Sequence, residues 1–456
     1  MSGFPRGETL MVSVSGVRGI VGKDLTPDLV ARFAAAFGVL AAEGGRPAVV
    51  LARDARTSGP MFAAAARAGL QSVGCRVIEC GLVPTPTAQL AVEHHGAGGG
   101  IVLTASHNPI EWNALKFVGP DGVFLATESG ARLVALAEGR IPRVGWDRVG
   151  EVVADPDAVA RHLDAVLALP MLDVDAIRRR RFTVALDCVR GAGGTIMPHL
   201  LDHLGCRVEL IHGEPDGRFP RPPEPIPEHL TDLGAAVRSA GAQVGMAVDP
   251  DVDRLAMVDE TGAPIGEDYT LAFAVESVLR RQAGPVVVNL STSLVVDDAA
   301  RPFGVTVRRA PVGEANVARA MRAAGAAIGG EGNGGVILPA LHLGRDAPLA
   351  AALVLDLLAS GAESVSQRVA ARPRYAIVKA KAPRGGDLDD LYRDLVARYF
   401  EAAIDRQDGL RVAWPDRWLH VRPSGTEPIV RLIAEAPSRD GAEELIAAAR
   451  NVLAGT

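Results

Sequence analysis

From the N-terminus to about residue 370, runs of β-branched and apolar residues alternate with Ala/Leu-rich amphipathic stretches. The runs predict strands at Ala48–Leu51, Arg76–Glu79, Gly100–Leu103, Phe182–Asp187, Val208–Ile211, Val244–Val248, Val286–Leu290 and Val305–Arg308. The stretches between them predict helices such as Pro27–Glu43, Pro60–Val73, Asp157–Leu169 and Glu314–Ala324. Strands that are apolar along most of their length belong in sheets covered on both faces, so the alternation predicts an α/β architecture. After Ala382 the pattern changes. A helix at Asp387–Ala403, strands at Leu410–Ala413, Trp418–Val421 and Ile429–Ala434, and a helix at Arg439–Ala454 predict a small α+β domain. Seams are expected at the polar stretch Pro142–Glu151, near residues 254–266 and at the Pro-containing turn Ala371–Tyr375.

Composition narrows the class of protein. The chain has 456 residues, 48% hydrophobic and 22% charged, enough for several cores. A net charge of −6 speaks against a nucleic-acid or anionic-membrane binder, whose affinity rests on basic surface. No signal-peptide pattern opens the chain, and no uncharged apolar stretch is long enough to span a bilayer. The four cysteines, Cys75, Cys80, Cys188 and Cys206, form no C-x-x-C pair, so a reduced, cytoplasmic protein is expected. Lysine is scarce (Lys23, Lys116, Lys379 and Lys381), which draws attention to Lys116 beside the first loop described next.

Four loops carry candidate chemistry. Thr104-Ala105-Ser106-His107-Asn108-Pro109 follows the apolar run Gly100–Leu103 and sets a serine hydroxyl at a strand end beside His and a Pro-fixed backbone. An Asx-type turn before a helix would use similar residues. Asp249-Pro250-Asp251-Val252-Asp253-Arg254 follows Val244–Val248, and three alternating carboxylates can converge on a hard divalent cation, Mg²⁺ or Ca²⁺. A solvated acidic turn is the bland alternative, but like charges this close repel unless neutralised. In Gly330-Glu331-Gly332-Asn333-Gly334-Gly335, glycines permit close approach while Glu331 and Asn333 can read vicinal sugar hydroxyls; a Gly-rich turn with incidental polar residues fits as well. Arg422-Pro423-Ser424-Gly425-Thr426-Glu427-Pro428, followed by Arg431, offers guanidinium, hydroxyl and backbone donors to a phosphate. A capped turn with surface arginines is its alternative, and a Walker A motif is absent.

The four motifs occur in this order, their starts separated by about 145, 80 and 90 residues, together with Ser15-Gly16-Val17-Arg18-Gly19 and Arg53-Asp54-Ala55-Arg56-Thr57-Ser58. In this the chain resembles the α-D-phosphohexomutase superfamily over essentially its whole length. The resemblance implies three similar α/β domains with mixed sheets, at 1–152, 153–256 and 257–370, plus a smaller C-terminal α+β domain at 371–456, around a central cleft. It implies that Ser106 carries a phosphoryl group and that Asp249, Asp251 and Asp253, with a phosphoserine oxygen, hold one Mg²⁺. Arg18, His107, Lys116 and Arg254 would line the transfer centre, with Lys116 or a neighbour as general acid/base. Glu331 and Asn333 would bind sugar hydroxyls; Arg422, Ser424, Gly425, Thr426 and Arg431 would grip the non-reacting phosphate. The implied reaction interconverts hexose 6- and 1-phosphates through a 1,6-bisphosphate, which also serves as activator. The expected partner is thus a small phosphosugar, bound by a monomer or homodimer.

Two departures from the common pattern stand out. Pro250 replaces a frequent Gly, which is expected to leave the carboxylates in place. The third loop ends in Gly335 where many members carry His. Motif form favours a phosphoglucosamine mutase, with a phosphomannomutase/phosphoglucomutase as the alternative. A Mg²⁺-dependent phosphatase and a sugar-phosphate sensor without chemistry are more distant readings.

Overall fold

The computed structural model describes residues 10–13, 16–45, 47–383, 388–424 and 429–455. Its first sheet has seven strands, in the order Met11–Ser13, Gly16–Ile20, Trp112–Val118, Gly99–Leu103, Ala48–Arg53, Arg76–Leu82 and Val152–Ala154. The second has four: Leu255–Val258, Val244–Val248, Thr183–Asp187 and Arg207–Ile211. The third also has four: Val307–Ala310, Val286–Asn289, Ile328–Glu331 and Gly335–Ile337. A five-stranded antiparallel sheet, Ala376–Pro383, Ile429–Ala436, Trp418–Pro423, Leu410–Ala413 and Ala403–Asp405, forms the C-terminal domain with two helices.

The three α/β sheets share one device. In each, a central strand runs parallel to one neighbour and antiparallel to the strand that follows it in the chain. The connection between those two strands carries the serine loop in the first sheet, the acidic loop in the second and the 332–334 turn in the third. In the C-terminal domain, Arg422 and Arg431 lie on two neighbouring antiparallel strands, Trp418–Pro423 and Ile429–Ala436. Equivalent positions in the three α/β sheets therefore present three of the four chemical motifs.

Packing fixes how these units sit. The second and third sheets share one core, in which Leu186, Met246 and Val248 join Phe273, Val286 and Val288. Helix Ala347–Ala359 belongs to that core and is buried along nearly its whole length, as its apolar residues on every side require. The first sheet packs its own core from Phe33, Phe37, Phe62, Ile101 and Leu115, and the C-terminal domain from Leu391, Leu395, Val421 and Leu432.

Several expectations need correction. Val152–Ala154 pairs with Arg76–Leu82, and Leu255–Val258 pairs with Val244–Val248. The first two sheets therefore run past residues 152 and 256, and a division at 256 would cut a strand. The helix expected over Asp387–Ala403 spans Leu388–Arg398, with Asp387 outside the described residues. Ala403–Asp405 instead forms an edge strand against Leu410–Ala413. Glu331 ends a strand and Gly335 begins its partner, the two facing each other in register, so the third loop is a tight hairpin.

Candidate active site

The serine loop is held from beneath by a buried guanidinium. Arg56 is fully buried, and its Nη1 donates to the carbonyls of Pro109 (2.7 Å) and Trp112 (2.9 Å). Its Nη2 donates to those of Ser106 and Asn108, both at 2.6 Å, and its Nε to Asp54 Oδ2 at 3.1 Å. Thr104 Oγ1 donates to the same Asp54 oxygen (2.7 Å) and accepts from Ser106 N (2.9 Å). This net holds Ser106 at φ 49°, a left-handed conformation that non-glycine residues seldom adopt.

Across the domain boundary, Ser106 Oγ donates to Asp249 Oδ2 at 2.9 Å. Asp249, Asp251 and Asp253 are fully buried, and one oxygen of each lies within 4.8 Å of the others. Lys116, placed opposite Val102 on the antiparallel strand, donates from Nζ to Asp251 Oδ2 at 2.7 Å and lies 3.8 Å from Asp253 Oδ2. Thr85 Oγ1 also donates to Asp251 Oδ2, at 2.7 Å. Asp251 Oδ1 and Asp253 Oδ1 are buried without a hydrogen-bond partner. Buried, unpaired carboxylate oxygens are costly, and a hard divalent cation satisfies them, so the donor set fits such an ion. Val252 sits at φ 65° between the aspartates, a strained position for a β-branched residue.

Electrostatics divide the groups into distinct states. Burial, then Asp253 and Asp251, push the Asp249 carboxyl well above its ordinary value. Burial pulls Asp251 the same way, but Lys116 and Thr85 prevail and hold it below the usual carboxylate range. For Lys116, burial favours the neutral amine, yet Asp251 and Asp253 outweigh it and raise the pKa, so it stays an ammonium. Burial, with Arg254 and Arg18 nearby, pushes His107 down to about 2, leaving a neutral imidazole whose Nδ1 is 3.3 Å from Ser106 Oγ. Arg18 donates to Asn108 Oδ1 at 2.7 Å. Glu224 lies 3.4 Å from Arg254 Nη1 and 3.9 Å from His107 Nε2.

The hairpin at 330–335 reaches this cluster through Arg345. Glu331 is buried; its Oε1 accepts from Asn289 Nδ2 (2.9 Å) and Gly313 N (3.0 Å), and its Oε2 from Arg345 Nη1 (2.7 Å). Asn333 Oδ1 accepts from Gly335 N at 3.3 Å and so shapes the turn. Arg422 and Arg431 face each other on adjacent strands, and Arg422 Nε lies 3.1 Å from Asp408 Oδ2. That same oxygen accepts from Val312 N at 3.1 Å, tying the C-terminal domain to the backbone beside Gly313. Ser424 N bonds the Ile429 carbonyl at 2.9 Å, while Gly425 and Thr426 lie outside the described residues.

Ser106, His107, Lys116, Arg18, Arg254 and the three aspartates are thus gathered from two domains into one cluster, with Glu331 joined to it through Arg345. Sequence reasoning assigned no task to Arg56, Thr85, Glu224 or Arg345. For Arg56 the signal was present in the Arg53–Ser58 motif. Thr85, Glu224 and Arg345 act through contacts between domains, for which a single sequence carries no periodic or spacing signal.

Profiles of the phosphoglucomutase/phosphomannomutase alpha/beta/alpha domains I, II and III match residues 10–140, 160–262 and 266–375, and that of the C-terminal domain matches 379–452. A Thermococcus kodakarensis protein named phosphoglucomutase/phosphomannomutase is 39% identical over 442 residues, covering 94% of this chain and 95% of its own. A Methanopyrus kandleri protein named "Probable phosphoglucosamine mutase" is 38% identical over 436 residues, again covering 94% and 95%. Among solved structures, a Burkholderia thailandensis phosphoglucomutase/phosphomannomutase family protein superposes with a TM-score of 0.84 at 28% identity, covering 97% of this chain and 98% of its own. Among the described residues, no helix is long and apolar enough to cross a membrane.

Proposed function

The chain belongs to the phosphoglucomutase/phosphomannomutase family of phosphohexomutases, and we propose that it interconverts glucosamine 6-phosphate and glucosamine 1-phosphate through phosphorylated Ser106. The observation that carries this reading is the 2.9 Å contact of Ser106 Oγ with Asp249, inside a cluster that also holds Lys116 and two further carboxylates. A hydroxyl so placed has cationic and hydrogen-bonding groups ready for a phosphoryl group, and such transfer depends mainly on positioning and charge neutralisation.

Asp249, Asp251 and Asp253, with an oxygen of phospho-Ser106, would hold Mg²⁺, which when bound supplies positive charge beside the phosphoryl group. The rest falls to side chains of this chain. Arg18 and Arg254 embrace the transferring group. The free hydroxyl of the substrate attacks phosphorus, its oxygen–phosphorus bond forms as the bond from Ser106 Oγ breaks, and the net proton transfer runs from that hydroxyl to Ser106 Oγ, with Lys116 or a neighbour as general acid/base. Lys116, kept charged by Asp251 and Asp253, supplies the proton or the charge that stabilises Ser106 Oγ as it leaves. The resulting 1,6-bisphosphate turns end for end, and its other phosphate returns to Ser106 by the reverse steps. Arg422, Ser424 and Arg431 grip whichever phosphate is idle, and Glu331 and Asn333 read the ring hydroxyls. Traces of hexose 1,6-bisphosphate would phosphorylate a resting Ser106 and start the cycle.

The amino sugar is favoured by the form of the R-P-S-G-T-E-P and S-G-V-R-G motifs and by the name of the Methanopyrus relative. The second reading, a phosphomannomutase/phosphoglucomutase, has the Thermococcus relative at 39% identity behind it. A coupled assay with Mg²⁺ and traces of hexose 1,6-bisphosphate separates them by kcat/KM for glucosamine, mannose and glucose 6-phosphates. Preference for the amino sugar supports the first reading, and preference for a neutral sugar the second. Release of free phosphate without any 1-phosphate would overturn both.

A further inference from the structure

Arg345 joins the acidic loop to the 330–335 hairpin by a single side chain. It is buried, and its three nitrogens go to three different carboxylates: Nη2 to Asp253 Oδ2, Nη1 to Glu331 Oε2 at 2.7 Å, and Nε to Glu314 Oε2 at 3.0 Å. The guanidinium is planar and rigid, so a shift at one of these contacts is passed to the others. Asp253 thereby has one oxygen fixed by Arg345 while its Oδ1 accepts no hydrogen bond and lies 3.7 Å from Arg254 Nε.

The hairpin is built around this side chain. A Cβ at Gly335 would lie 2.2 Å from Arg345 Cδ and 2.9 Å from its Cγ, so no side chain at 335 coexists with the arginine as placed. Gly335 and Arg345 are a matched pair, which gives a physical reason for the glycine at the end of this loop. The base of the arginine is anchored too. Asp346 caps helix Ala347–Ala359 through Leu349 N (2.8 Å), and its Oδ2 meets His162 Nε2 (2.8 Å) and His342 Nε2 (2.9 Å).

We propose that Arg345 is a positioning residue that couples cation binding at the acidic loop to sugar binding at the hairpin. The proposal rests on the reading of those two loops given above. A cation that draws Asp253 toward it shifts the guanidinium, which in turn sets the Glu331 carboxylate; a sugar that engages Glu331 acts in the opposite direction. Such coupling is reciprocal by necessity.

The test is calorimetric titration of the full-length, dephosphorylated enzyme with glucosamine 6-phosphate, or with mannose 6-phosphate if the assay above selects it, with and without saturating Mg²⁺. Wild type is expected to bind the sugar phosphate tighter with Mg²⁺ by a factor of roughly 5–150. In Arg345→Lys, which keeps the charge but cannot span three carboxylates, that factor should fall toward one. Gly335→Ala, which displaces the arginine without removing it, should do the same and decides the matter if Arg345→Lys does not fold by circular dichroism. A wild-type factor retained in the folded variants, with only melting temperature or the separate affinities changed, overturns the coupling. Wild type that binds neither ligand overturns the reading of the loops themselves.

Discussion

Ser106 Oγ, carried by the first sheet, donates to Asp249 Oδ2, carried by the second, at 2.9 Å. A serine hydroxyl of one domain is therefore oriented by a carboxylate of another. Ser106→Ala removes the oxygen that would carry the phosphoryl group and should lower turnover by roughly 1,000-fold or more. The loop itself is held by Arg56 through backbone carbonyls, so the fold should survive. Circular dichroism together with the coupled assay checks this; near-normal activity would rule out the phosphoserine role.

Asp251 anchors Lys116 at 2.7 Å and contributes an unpartnered Oδ1 to the carboxylate cluster. Asp251→Asn should weaken Mg²⁺ activation and turnover together, since it removes one anionic ligand. It also leaves the buried ammonium with only Asp253 at 3.8 Å, and losing one partner of a buried pair costs about 3–5 kcal/mol at the upper end. Activity titrated against Mg²⁺, with a chelator control and urea unfolding, reads both effects. Wild-type activity that persists in excess chelator would remove the metal from the mechanism.

Arg422 and Arg431 stand opposite each other on neighbouring antiparallel strands, and Arg422 Nε lies 3.1 Å from Asp408 Oδ2. If they grip the idle phosphate, Arg422→Ala should raise KM by roughly 10–100-fold, the usual worth of a charge-assisted hydrogen bond. The change in kcat should be smaller, because the contact is shared by ground and transition states. A fall in kcat at constant KM would assign Arg422 to the transfer step instead.

Much of this architecture was legible in the chain. Helices Pro27–Glu43 and Glu314–Ala324 form with the bounds their amphipathic spacing predicts, because local periodicity and tertiary packing agree there. Strand Trp112–Val118 was not foreseen: six of its seven residues are buried, so it shows no apolar–polar alternation, and it is the strand that carries Lys116. The segment at Ala403–Asp405 continues a helical composition but pairs as an edge strand after the chain turns at Gly409, φ 76°. The acidic loop could be read from spacing alone, since its carboxylates are adjacent in sequence. Arg345 could not, because Glu314 and Glu331 reach it only through the fold of its own domain and Asp253 only once two domains are packed together.

Asp268 gives a pH signature away from the cluster. Its carboxyl accepts from Ser293 N at 2.9 Å, lies where a Cβ on Gly332 would come within 2.1 Å, and is pushed up to about 8 by burial. A carboxyl whose folded pKa is raised contributes stability that is complete below its unfolded value, about 4. That contribution is lost as pH rises through its folded value of about 8. Urea unfolding should therefore show stability declining across this window, by at most about 1.4 kcal/mol per pH unit from this group. Asp268→Asn keeps the acceptor oxygen for Ser293 and should flatten the slope. An unchanged slope in the variant would assign the pH dependence elsewhere.

Arg56 offers the sharpest separation of placement from charge. Its nitrogens serve four carbonyls of the 106–112 segment and one carboxylate, and Phe219 of the second domain lies over it at 5.0 Å. Arg56→Lys preserves the charge beside Asp54 but cannot satisfy the fork of carbonyls, since an ammonium is a compact donor and the guanidinium a planar one. Ser106 is held in a strained conformation that persists only while its surroundings over-determine it. The lysine variant should therefore lose kcat by roughly 100-fold, the scale of an ångström-sized misplacement at a reacting centre. Mg²⁺ affinity should stay nearer wild type, because all three aspartates lie on the other domain. Equal losses in kcat and Mg²⁺ affinity would instead mean that Arg56 supports the domain junction as a whole.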